Sequence, residues 1–132
     1  MVERFPESEK VTINLGFVDL GQIDLLVRDG FYGNRTDFIR TAIRNQLERQ
    51  SEMLRQSAVR KSLDFGLRRI SRQELEAVRD RHETIQINVV GLAVIAPDVS
   101  AALARTAISS VTVLGALHAS AEVRAALADR TG

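Results

Sequence analysis

Cysteine and tryptophan are absent from this 132-residue chain, and proline and histidine occur twice each. Without cysteine there is no disulfide framework and no thiolate for metal binding. His82 and His118 stand far apart in sequence, with no paired carboxylate arranged as in metal sites, so no metal is expected. Long apolar runs are missing too. The longest weakly charged stretch, Ile85 to Val99, is interrupted by Asn88, Gly91, Pro97 and Asp98 and is too short to span a bilayer. The opening MVERFPESEK lacks the apolar centre of a secretory signal. The expectation is a cytoplasmic protein with no membrane partner. Ser109, Ser110 and Ser120 have no evident base or orienting acid. The glycines of the second half lie within apolar runs, not in a phosphate-binding turn. No enzymatic activity and no cofactor are expected.

What is present fits a folded protein. The chain is 45% hydrophobic and 27% charged, enough for one ordinary domain or two small ones. Net charge is +1, but it is unevenly spread. Residues 1–50 hold 7 basic and 8 acidic groups, 51–82 hold 8 and 5, and 83–132 hold 3 and 4. The middle is a basic connector between two slightly acidic ends, a weak pointer to nucleic acid.

The stretch EKVTINL (residues 9–15) alternates Val11, Ile13 and Leu15 with Lys10, Thr12 and Asn14. That is the period of a strand with one apolar face. The next fifty residues offer no second strand, and an unpaired strand is not stable in water. Leu20, Ile23, Leu26 and Val27 then mark a first helix, with Asp19 near its start. RDGFYGN (residues 28–34) breaks the pattern. A second helix follows from about Asn34, with Ile39, Ala42, Ile43 and Leu47 on one face.

In this order the segment KVTINLGFVDLGQIDLLVRDGFYGNRTDFIRTAIRNQL resembles the ribbon-helix-helix DNA-binding domain of the MetJ/Arc/CopG superfamily. The resemblance implies that two chains pair their strands into a two-stranded antiparallel ribbon above four helices. The dimer core would hold Val11, Ile13, Leu15, Ile23, Leu26, Ile39, Ala42, Ile43 and Leu47. The polar strand face, Lys10, Thr12 and Asn14, would contact bases in the major groove of double-stranded DNA. The residue types suit that task, since Lys donates to guanine, Asn bonds adenine in two places and Thr offers a hydroxyl and a methyl. On the residues alone, a solvated outer face is the plainer reading. Gly33, Asn34, Arg35 and Thr36 open the second helix, where free N–H groups and the dipole favour phosphate, and the resemblance implies phosphate contacts there. Arg40 and Arg44 read as surface or dimer-pairing residues. Gly16 and Gly21 depart from the family pattern and predict a shorter or more mobile first helix.

The second half repeats. FGLRRISRQELEAVRD, VGLAVIAPDVSAALAR and LGALHASAEVRAALAD align, with Gly66, Gly91 and Gly115 spaced by 25 and 24 residues. The last two copies match closely and the first is degenerate. Each unit pairs an apolar strand with a short helix, whose start is signalled by Ser71-x-x-Glu74, by Pro97 or by Ser120. The pattern is loosely similar to a leucine-rich repeat and predicts a solenoid-like stack. A compact βαββαβ ligand-sensing domain is the rival. Few repeats leave open apolar ends, so self-association is expected.

The predicted fold class is therefore α+β: a ribbon-helix-helix domain (1–50), a basic helical connector (51–64) and a β/α repeat oligomerisation domain (65–132). The expected function is a sequence-specific transcriptional regulator, a repressor, binding DNA as a homodimer with higher homo-oligomers formed through the repeats. An antitoxin, or an assembly protein that uses the N-terminal unit only to dimerise, is the alternative. The sequence names no small-molecule effector.

Overall fold

A computed structural model describes residues 8–132; residues 1–7 of the expected first domain lie outside the described residues. The described chain divides into two compact units, Ser8–Ser57 and Ala58–Gly132.

In the first unit, residues 9–15 make no strand pairing, so the expected ribbon is not formed within one chain. The physical reason is the one visible in the sequence: the segment has no strand of its own chain to bond. Helix α1 (Phe17–Arg28) starts after Gly16 and runs through Gly21 for 12 residues, so the expected shortening is not seen. Its end is a Schellman turn. Gly30 sits at φ 85, its N–H donates to the Val27 carbonyl, and the Phe31 N–H donates to that of Leu26. Helix α2 (Arg35–Arg49) follows, then α3 (Ser51–Arg60).

In the second unit all three repeats are realised, the degenerate first one included. Strand β1 (Asp64–Ile70) leads to α4 (Arg72–Asp80), β2 (Ile85–Ile95) to α5 (Ala101–Ala107), and β3 (Ile108–His118) to α6 (Ala121–Ala126). A 3-10 turn, Ala128–Arg130, follows α6. The strands form a parallel sheet in the order β1-β2-β3. This open sheet with a helix after each strand replaces the expected solenoid. Strands of up to 11 residues present enough backbone for extended lateral pairing, and the ladder rather than stacked coils organises the repeats.

The helices cover one face. Ile87, Val89, Ala93 and Ile95 alternate along β2 and join Ile70, Ile108 and Val111 in a core closed by Leu75, Val78, Leu103, Val123 and Leu127. Ser71, Ser100 and Ser120 cap the three helices by accepting from the N–H of Glu74, Leu103 and Val123. The start of α5 is thus set by Ser100 and not by Pro97, which lies in the preceding turn. His82 has a structural role as well: at φ 57 it ends α4, donating its N–H to the Arg79 carbonyl. His118 ends β3.

The repeat period has a physical cause. Gly66, Gly91 and Gly115 stand side by side across the ladder at φ 121, 142 and 117. A Cβ on Gly91 would collide with the Gly66 carbonyl oxygen, and one on Gly115 with that of Gly91. Only glycine meets both demands, positive φ and close backbone approach. Gly91→Ala is therefore expected to destabilise the second unit by about 3 kcal/mol or more, read as a lowered urea midpoint. Gly21→Ala, with open space at its Cβ and a helical backbone, should instead add about 0.5–1 kcal/mol.

Candidate nucleic-acid interface

Between residues 8 and 57 Ile23 is the one buried residue. Helix α2 has 15 residues and buries none of them. The apolar stripes of α1 and α2 instead line an open groove of about 350 Å³. It brings together Ile13, Leu15, Ile23, Leu26, Ile39, Ala42 and Ile43, with Phe38 at its edge. Of the expected dimer-core residues, Val11 and Leu47 lie outside the groove and are exposed, at 77% and 55%. Leaving so much apolar surface in water is unfavourable by roughly 25 cal/mol per Å².

Lys10, Thr12 and Asn14 are exposed on the unpaired segment. The turn into α2 is more tightly tied than its sequence indicates. Asn34 caps the helix, its Oδ1 accepting from the Asp37 N–H at 2.8 Å. The Asp37 carboxylate in turn accepts from the Gly33 N–H at 2.9 Å. Two of the N–H groups near this helix start are thereby engaged by side chains of the turn, and Gly33 is less available to an anion than expected. Tyr32 and Phe38 pack edge to face across the turn, with ring centroids 5.0 Å apart.

Arg35 is held as well. Its Nε and Nη2 donate to the two Asp24 oxygens, both at 2.8 Å, in a fork that ties α2 to α1. Arg35 is thus both a positioned cation and a helix–helix clasp. Sequence reasoning missed Asp24 and Asp37. Asp37 stands three residues after Asn34, a capping spacing that was readable, whereas Asp24 lies 11 residues from Arg35 and needed the helix pair to be seen.

The first unit thus sets an open apolar groove beside a strand-length segment that makes no strand pairing. The kind of protein follows from its kinship: a model of the Ribbon-Helix-Helix transcriptional regulator family matches residues 6–124, and the chain belongs to that family. The match takes in the parallel sheet as well as the helices. Family membership makes the protein a DNA-binding regulator. No curated protein and no solved structure matches the chain. Among the described residues no helix is long and apolar enough to cross a membrane.

The hydrogen bonds and charge of Arg35 hold the Asp24 carboxyl below its ordinary range. A depressed carboxyl stabilises the fold above its unfolded-state value of about 3.9, and that contribution is lost as pH falls through the lower folded value. A carboxyl NMR titration should give Asp24 a midpoint below the usual one in the native chain. Arg35→Gln should return it to the ordinary value.

Proposed function

We propose that the protein is a sequence-specific repressor that reads the major groove with a ribbon made from residues 9–15 of two chains. The observation that carries this reading is the open groove, since the first unit buries only Ile23 by itself. A second copy laid over it would cover Ile13, Ile39 and Ile43 and pair the backbone of 9–15 at the same time. On the outer side of that ribbon Lys10, Thr12 and Asn14 meet base edges. The start of α2 meets phosphate through the N–H groups of Arg35 and Thr36 and the remaining donors of the Arg35 guanidinium, with Gly33 and Asn34 shaping the turn. The C-terminal half joins dimers, so that adjacent operator sites fill cooperatively and block transcription. No enzymatic step enters this reading.

The ordered core of the second unit weighs against an antitoxin tail that folds only on its toxin. The assembly-protein alternative differs in having no sequence preference.

The test is binding of the full chain to its own upstream DNA and to random DNA across a salt series. The native protein should prefer the upstream DNA. Thr12→Ala/Asn14→Ala should lose that preference while keeping the residual, salt-dependent affinity carried by phosphate contacts. Equal affinity of the native protein for both DNAs would refute a sequence-specific regulator.

A further inference from the structure

The two edges of the parallel sheet are finished differently. The β3 edge is closed by its own chain. Val111 bridges to Thr131, the Gly132 N–H donates to the Val111 carbonyl at 2.9 Å, and Arg124 donates to the carbonyl of Leu117. Arg130 reaches the Ile108 carbonyl at 2.7 Å. The β1 edge has no such finish. Among the described residues no strand or bridge pairs with its outer side.

The backbone groups left over on β1 can be identified. The Gly66 carbonyl lies against Gly91, and the Ile70 carbonyl accepts from the Ala96 N–H at 2.9 Å. Even-numbered residues of β1 therefore address β2, and by the alternation of a ladder Phe65, Leu67 and Arg69 address the outside. The Arg69 carbonyl is taken by the Arg68 guanidinium. Phe65 and Leu67 remain, and their side chains on the helix-free face are 57% and 56% exposed. Their lateral neighbours Val90 and Leu92 are half-buried.

We infer that the open edge of β1 takes β1 of a second copy, antiparallel about a two-fold axis at Gly66, joining two sheets into one. This rests on the reading that the C-terminal half self-associates, and it names the surface. Charge selects the register. With Gly66 on the axis, Phe65 stands opposite Leu67 of the other chain as a hydrogen-bonded pair, and Asp64 stands opposite Arg68. Asp64 has no ion pair among the described residues. It meets a guanidinium already steadied by Glu74. At such non-hydrogen-bonded positions the Cα atoms are about 4.5 Å apart and side chains are close. Moving the axis to Leu67 would set Asp64 against Ile70 and Phe65 against Arg69, losing both matches. Gly66 has nothing within 4 Å of the place a Cβ would take, so two backbones can approach there. A head-to-tail alternative, β1 on the β3 edge of another copy, meets the closed edge described above and would propagate without end.

The absence of cysteine makes the register directly measurable. Full-length Asp64→Cys and Arg68→Cys chains are prepared singly and as a co-refolded mixture, then oxidised. The mixture should give covalent dimers holding one chain of each kind. Each variant alone should give at least 10-fold less, because like positions lie about 13 Å apart, four residues along the strand, beyond disulfide reach. Equal cross-linking in the single preparations, or none in the mixture, overturns the register. Independently, Leu67→Pro removes an outward N–H and leaves the bonds to β2 intact. By light scattering it should reduce the native oligomer to a dimer while the dimer keeps its preference for upstream DNA. An unchanged mass overturns the edge pairing, whereas failure of the regulator reading appears only as lost DNA preference in the native protein.

Discussion

Backbone groups that the chain cannot pair by itself are the constraint on which the rest of the structure depends. A buried or dry N–H or C=O without a partner costs about as much as the loss of a hydrogen bond. This chain meets that demand in two ways. Helices satisfy it internally, with side-chain caps at Asn34, Ser71, Ser100 and Ser120. The sheet satisfies it laterally, closing its β3 edge with the C-terminal residues and two arginines. The remaining groups, on residues 9–15 and on the outer side of β1, have no strand partner among the described residues. Both places combine free backbone with exposed apolar side chains, Val11 and Ile13 in one and Phe65 and Leu67 in the other. On the proposed readings, strand pairing is the means by which each half of the protein recruits a second copy.

The row of glycines explains why the sheet can be repetitive and short at once. Each strand turns its backbone at the same level, and the glycine of one strand admits the carbonyl of the glycine before it. The ladder stays in register only if every unit carries its glycine at that level, which fixes the spacing of 25 and 24 residues. After β3 the 3-10 turn and the Arg105–Asp129 ion pair bring Thr131 and Gly132 back onto Val111. Gly66, at the other end, carries the same backbone geometry as the interior glycines without a neighbour to require it. That geometry at an open edge is what the proposed β1 pairing would use.

Much of this was legible in the sequence because it is written in short-range pattern. The two N-terminal helices, the repeat spacing and the caps at Ser71 and Ser120 follow from periodicity and hydrogen-bonding residue types within a few positions. Pro97 misled because proline permits a helix start without requiring one, while Ser100 supplies the acceptor that sets it. The solenoid expectation failed on a quantity that spacing does not contain, namely how far neighbouring strands run alongside each other. The candidate site was legible as a set of positions but not as a set of obligations. That Arg35 is committed to Asp24, and Gly33 to Asp37, depends on the packing of α1 against α2 and on the turn geometry between them.

Those commitments bear on how such a protein grips DNA. Affinity from phosphate contacts grows with the number of charges neutralised, each adding about 0.9 to the slope of log affinity on log salt. On the proposed reading one dimer brings few cations to the groove: Lys10 from each chain, and an Arg35 that shares its charge with Asp24. Asp37 adds a carboxylate at the helix start itself. On that reading the arrangement keeps non-specific binding low, because random DNA offers only the phosphate share of the contacts. The discrimination that this reading assigns to Thr12 and Asn14 is then a large fraction of a small total. On the proposed reading, joining dimers multiplies both shares on DNA with repeated sites and only the phosphate share on other DNA. On that reading a weakly charged reading head coupled through a strand edge gains affinity mainly from repeated sites, whereas a strongly charged head would gain it everywhere.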